Sequence, residues 1–329
     1  MAYTKIVMPG LDPGISRHRS QTPGSSPGVT VEQLSDMDQT SRLKPYLNVA
    51  PLVALLLFVF GYPLVQIFEY SFKQIRGIDG PWIGFRNYQL IFGQDLFWEA
   101  VRHNLMLLIA IPIMVAWSLL VAILLYDRLR GWKVYRIVIF VPYILAVPII
   151  AAIMKKMFQF NGPVNEALRW LGADFLALDW IGSSDYALWT VMLLIIWREA
   201  ALGIILFLAR LLNLDESLTE AARLDGANWW QRVRYVILPQ MRVVIEFYVV
   251  VSVITMLSSV FAYVYIMGGG RGGPGTSTMV VELYIFGAIV RQSLPGIASA
   301  VSALLFLVSL LLIVPLFAVR RRANEQEVA

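Results

Sequence analysis

The sequence contains no cysteine, which excludes disulfides, thiolate metal sites and cysteine nucleophiles together. Its two histidines, His18 and His103, stand in unrelated contexts, so a histidine-based metal centre has no basis. Charge is also scarce, at 15% of residues, against roughly 25% in soluble domains. No G-x-x-x-x-G-K-[ST] phosphate loop occurs anywhere, so any nucleotide hydrolysis that drives this protein must come from a separate subunit. A membrane-embedded enzyme is the weakest class of all, because no acidic pair suited to general acid–base work accompanies these absences.

What fills the 329 residues is apolar: 58% are hydrophobic and the mean hydropathy is +0.66. A bilayer core about 30 Å thick needs about 20 apolar residues per helix, which leaves room for about six to eight spans. Apolar runs at about 49–72, 103–126, 137–158, 187–209, 243–267 and 297–319 predict six, and with them an all-α integral membrane fold. Pro63, Pro112, Pro142 and Pro148 lie inside these runs and are expected to bend the helices without breaking them.

The net charge of +5 reads as membrane orientation, with no need for nucleic acid as a partner. Arg128, Arg130, Lys133 and Arg136 face Asp127 alone after the second run, and Arg320, Arg321 and Arg322 follow the last. The loop at 159–186 holds Arg169 with Glu166, Asp174, Asp179 and Asp185. Both termini are therefore expected in the cytoplasm, although Lys73, Arg76 and Arg86 in the first outer loop oppose that bias. Residues 1–45 lack a sustained apolar period and are expected to be a disordered tail, with no h-region to make a signal peptide. Within it Met8 to Arg19 (MPGLDPGISRHR) resembles peptides translated from repetitive elements in bacterial genomes. The native start is expected near Met37, and intact-mass analysis of the chain made from its own promoter checks whether residues 1–36 are present. Residues 46–320 are expected to form one six-span domain and 321–329 a cytoplasmic tail.

Residues 211–242 form the one long polar segment expected on the cytoplasmic side within that domain. Ser217 with Glu220, and Asn228 with Gln231, fit capping boxes for two short helices about a turn at Asp225-Gly226. Ala221 and Ala222 allow another surface to approach the backbone, with Glu220 and Arg223 as polar handles. Trp229, Val233 and Val236 or Ile237 make an apolar stripe, and Leu238-Pro239 is expected to end the second helix. From the residues alone the segment is either packed on its own bundle or a docking element.

Glu220 to Pro239 (EAARLDGANWWQRVRYVILP) resembles the EAA loop of ABC importer permeases, whose six-span core is MetI-like. The resemblance implies a coupling helix that docks in a cleft of an ATPase subunit, a role falling on Glu220, Ala221, Ala222, Asp225, Gly226 and Ala227, with Leu238 and Pro239 closing the motif. Val243 stands where that family often has a second proline. Trp82 to Tyr88 (WIGFRNY), Asn104 followed by Leu105, Gly268 to Thr278 (GGGRGGPGTST) and Leu283-Tyr284 are similar to segments of the carbohydrate branch, especially MalF-like subunits. The short loop at 159–186 leaves no room for the large external domain of the maltose permease. The resemblance implies a permease subunit of the bacterial cytoplasmic (inner) membrane that imports a sugar or polyol. The implied partners are a second homologous permease, a dimer of ATPase subunits that hold ATP and Mg, an extracytoplasmic solute-binding protein and membrane lipid. It implies no metal and no cofactor on this chain. The Gly-rich stretch is expected to be a flexible external loop that contacts the binding protein or gates the path, in preference to a phosphate cradle.

Arg198 and Glu199 fall halfway along the fourth run, where a charge costs roughly 2.5–3.5 kcal/mol and faces a bundle interior or a watery cavity. They are either structural, ion-paired to neighbouring helices, or part of a substrate path, and adjacent positions on a helix are expected to need separate partners. Thr255, Ser258 and Ser259 share a face of the fifth run, suited to sugar hydroxyls or to close helix packing. Tyr248, Tyr263 and Tyr265 suit sugar stacking or interfacial anchoring. The alternatives are an ion-gradient secondary transporter and an ABC permease for a non-carbohydrate solute.

Overall fold

The computed structural model describes residues 46–75, 79–127 and 131–328. The expected tail at 1–45, Arg76, Arg128 and Arg130 lie outside the described residues. The chain forms two compact units, one ending at Tyr62 and the other beginning at Pro63. In the first, the described residues are helical, with a π turn at Leu57–Gly61 and the Phe58 ring stacked on Tyr62 at 6.3 Å.

Lipid offers the backbone no hydrogen bonds, so long apolar runs resolve into helices. Five spans follow that rule directly: Tyr46–Ser71, Asp95–Tyr126, Ala187–Leu211, Trp229–Ser258 and Pro295–Pro315, which are spans one, two, four, five and six. Span three is the pair Val134–Ile144 and Val147–Met157. Among the described residues strand pairing amounts to one isolated bridge, Lys73 to Trp82. The last helix runs on to Val328, through the boundary expected at 320.

Span three corrects the expectation of bends. Its halves meet at 105°, with Leu145 (ψ 142°) and Ala146 (ψ 138°) in extended conformation. A helix continued through this point would place the Pro148 ring against the carbonyl of Ile144; a new helix with proline in its first turn removes that clash.

Span five departs in the opposite sense. Leu238-Pro239 does not end the helix, which is continuous from Trp229 to Ser258. Pro239 is accommodated by a π turn at Val233–Ile237 immediately before it, whose wider coil eases the ring past the preceding carbonyls. Gln240 Nε2 donates to the Val236 carbonyl at 3.0 Å, a side-chain bond beside the disturbed ladder. The run expected to reach 267 instead stops at Ser258, and a separate helix, Phe261–Met267, follows.

The core lies where spans two, four and five meet. Gly203 lets their backbones close in: a Cβ there would sit 2.6 Å from both Ser118 Oγ and Tyr248 Cε1. Ser118 Oγ donates to the Ala200 carbonyl across this contact at 2.9 Å. Phe207, Ile195, Ile204, Met114 and Met241 are fully buried around it.

Candidate functional site

The polar segment between spans four and five holds the helix Glu216–Leu224. Its N-cap is Asp215, not Ser217 as expected: the Asp215 carboxylate accepts the Ser217 amide at 3.0 Å, and the helix begins before Ser217 can cap it. Hydrogen bonds from Ser217 hold the Asp215 carboxyl below the usual carboxylate range. At the other end Gly226 N donates to Arg223 O at 3.1 Å and Ala227 N to Ala222 O at 2.9 Å. This pair of bonds is a Schellman motif, which requires the left-handed residue that Gly226 supplies at φ +78°. The second capping box is present in full: Gln231 N donates to Asn228 Oδ1 at 2.9 Å, and Asn228 N to Gln231 Oε1 at 2.8 Å.

Glu220, Ala221, Asp225 and Gly226 are exposed, and Ala222 and Ala227 are half-buried. Leu224 is 89% exposed and Trp230 71%, so the turn presents apolar surface outward. Beneath it Val233 and Ile237 are buried, while Leu238 packs half-buried against the core and Pro239 stays exposed. Trp229 Nε1 donates to Asp127 Oδ2 at 2.9 Å, tying this turn to the end of span two. A cleft of about 600 Å³ opens between them, lined by Asp127, Leu214, Asp215, Glu220 and Arg223 among others.

The expectation of separate partners for Arg198 and Glu199 is corrected. Arg198 Nη1 lies 2.5 Å from Glu199 Oε1, and both side chains are nearly buried. Tyr263 OH donates to the same Oε1 at 2.5 Å and accepts from Arg198 Nη1 at 3.2 Å. Arg198 Nη2 donates to the carbonyls of Leu145 at 3.1 Å and Tyr143 at 3.3 Å, the groups freed where span three breaks. Tyr248 and Tyr263 are core residues, 1% exposed, and the hydroxyl of Tyr248 donates to the Glu199 carbonyl at 3.1 Å. Neither is an interfacial anchor; Tyr265 alone of the three is exposed.

Thr255 Oγ1 donates to Val251 O at 3.0 Å and Ser258 Oγ to Ile254 O at 2.8 Å, each bonding back to its own helix. Ser258 and Ser259 are nevertheless exposed. They sit at the end of the long helix of span five, whereas Tyr263 belongs to the short helix beyond.

On the side away from the coupling segment, several short motifs have structural partners. Asn87 Nδ2 donates to the carbonyls of Ser71 and Lys73 at 2.8 and 2.9 Å, and Tyr88 OH to Ser71 Oγ at 2.8 Å. The Asn-Tyr pair thus fastens the end of span one. Asn104 Oδ1 accepts the Val281 amide at 2.8 Å, at the start of the helix Val281–Val290 that contains Leu283-Tyr284. The Gly-rich stretch is closely knit: Gly270 N donates to Tyr265 O at 2.6 Å, Gly273 N to Gly268 O at 2.8 Å and Thr278 N to Gly272 O at 2.7 Å. Sequence reasoning missed Glu282, an acidic residue half-buried in the first turn of the helix Val281–Val290. It also missed Lys155, whose Nζ donates to Ile266 O at 2.8 Å.

Six candidate spans, the third of them broken, and a turn projecting between spans four and five define a class, and comparison with known proteins gives its family. The family model of the binding-protein-dependent transport system inner membrane component matches residues 99–323. The chain belongs to that family and is a permease subunit of an ABC importer. The lactose transport system permease protein LacF of Rhizobium radiobacter is 29% identical to it, over 84% of this chain and 94% of LacF. The sulfoquinovosyl glycerol transport system permease protein SmoG of Agrobacterium fabrum is 30% identical, over 83% of this chain and 89% of SmoG. The crystal structure of a bacterial ABC transporter involved in the import of the acidic polysaccharide alginate aligns with a TM-score of 0.73 at 22% identity, over 88% of this chain and 99% of that one. At that identity the likeness speaks to the fold. Family membership sets aside the ion-gradient alternative.

Proposed function

We propose that this chain lines one half of the translocation path of an importer for a sugar or polyol. A second homologous permease supplies the other half, two ATPase subunits dock beneath, and a soluble binding protein delivers the solute from above. The substrate class is supported by relatives named for lactose and sulfoquinovosyl glycerol transport. ATP and Mg belong to the ATPase subunits, and this chain contributes no metal or cofactor. The charge pattern of the loops supports a cytoplasmic position for both termini.

One observation carries the coupling role: the exposed helix bearing Glu220 and Ala221 leads, through a fixed turn at Gly226, into a helix continuous from Trp229 to Ser258. A displacement at the turn is therefore passed along one rigid element toward Thr255, Ser258 and Ser259. When ATP closes the ATPase dimer, the coupling helices ride inward and the bundles rock from inward-facing to outward-facing. The hydroxyls of Thr255, Ser258 and Ser259 offer the solute weak contacts that it can leave.

The test is Glu220→Lys and Gly226→Pro in the assembled transporter. Both are expected to abolish ATP-driven uptake, Gly226→Pro because proline cannot take a φ of +78°. Uptake and assembly that both survive overturn the coupling role. A thermal-shift panel on the partner binding protein tests the solute: stabilisation by a sugar or polyol is expected, and stabilisation only by amino acids or peptides overturns the substrate class.

A further inference from the structure

Span three is broken and span five gives way after Ser258 to a separate short helix, and one side chain touches both joints. The helix Trp132–Ile144 ends with carbonyls that have no partner within their own helix. Arg198 Nη2 takes those of Tyr143 and Leu145, and the guanidinium also lies over the Tyr143 ring, 5.1 Å from its centroid. A cation at a helix C-terminus also meets the negative end of the dipole. Through Nη1 the same group holds Glu199 and Tyr263, and Tyr263 belongs to the short helix that follows the break in span five.

Beyond the breaks, the two distal halves belong together. Val147–Met157 packs against Phe261–Met267, and Lys155 Nζ closes the last turn of the latter at the Ile266 carbonyl. Before the breaks, Trp132–Ile144 packs on span four. Arg198 and Glu199, halfway along span four, therefore sit between a proximal part and a distal pair of half-helices.

We propose that Arg198 is a positioning residue, the pivot on which residues 147–157 and 261–267 swing as one gate body against residues 132–144. Changing the angle between the halves of span three would draw the Tyr143 and Leu145 carbonyls away from Arg198 and strip it of two acceptors. Moving the short helix would withdraw the Tyr263 hydroxyl from Glu199. The two movements meet at one guanidinium, so they occur together, and the angle between the halves has discrete settings. The gate rests on the transport role proposed above, but its geometry is measurable within this chain alone.

The absence of cysteine from this chain allows spin labels at Tyr135→Cys and Ile153→Cys with no competing thiol on it, and the chain is labelled before assembly with its partner subunits. Both positions are exposed and flank the break. Distances between them are read by pulsed electron resonance in the full transporter in lipid nanodiscs, in the parent and with Arg198→Gln, Arg198→Lys or Tyr263→Phe. The expected result is a narrow distribution in the parent, a broadened or displaced one for Arg198→Gln and Tyr263→Phe, and partial restoration by Arg198→Lys, whose single ammonium cannot serve carbonyls and carboxylate as the planar fork does. If Arg198→Gln does not assemble, Tyr263→Phe decides, since it removes one hydroxyl from a buried ring. A Tyr263→Phe distribution superimposable on the parent overturns the pivot. So does an Arg198→Lys distribution equal to that of Arg198→Gln. Neither outcome depends on uptake, so failure of the coupling role would appear in Gly226→Pro and failure of the pivot in these distances.

Discussion

Gly226 holds a φ of +78° with open space where a Cβ would lie, so the demand for glycine there is conformational and not steric. Gly226→Ala is expected to cost about 1–2 kcal/mol through its left-handed backbone, and Gly226→Asn less, because asparagine tolerates that region. Thermal denaturation of the purified transporter orders the three. Asp215 gives a pH signature at the same element. Its carboxyl is held low by Ser217, so its capping contribution is complete above the ordinary carboxylate pKa of about 4 and is lost as pH falls through the lower folded value. Amide exchange at Ser217 is expected to lose protection with acid in the parent and to stay flat in Asp215→Asn, which caps without titrating. The Asn228–Gln231 box was legible because every partner lies within four residues. Asp215 was not, since Ser217 offers an equally good local pattern two positions on and only the start of the helix chooses between them.

Among the elements, spans two, four and five pack tightly at Gly203. Gly203→Ala would push a methyl to within 2.6 Å of Ser118 and Tyr248, and overpacking of this kind costs about 1–3 kcal/mol. A lowered melting temperature, partly recovered by adding Ser118→Gly, is the expected outcome. Trp229→Phe is expected to cost about 0.5–1.5 kcal/mol by deleting the indole bond to Asp127. Asp127→Ala should be no worse on that background, which a double-mutant cycle of melting temperatures checks. Hydropathy found the spans but misjudged their joints. Four prolines looked alike in sequence, yet Pro148 starts a new helix after a break and Pro142 sits inside one. The difference lies in Arg198, a side chain from another span that takes the carbonyls a break exposes, and no local pattern reports it.

For the whole molecule, the six-span plan and the coupling segment were readable because both rest on long-range regularities, a hydropathy period and a twenty-residue motif. The midplane polar residues were only half readable. Their cost in lipid marked Arg198 and Glu199 as special, but their partners, Tyr143, Leu145 and Tyr263, are dispersed over more than a hundred residues. Lys155 gave no signal at all, because it serves the end of the short helix Phe261–Met267, which no separate apolar run announces.

The π turn at Val233–Ile237 sets the angular phase of span five. An α-helix advances about 100° per residue, so the extra residue in this turn rotates everything beyond it by a comparable amount relative to Trp229. The side of span five that carries Ser252 and Tyr248 into the core, and leaves Ser258 outside it, is thereby chosen by the π turn that precedes Pro239. Were Pro239 replaced by alanine and the coil tightened to regular pitch, the docking turn and the membrane face would fall out of register with every side chain intact, like a key cut correctly on a shaft turned by a quarter.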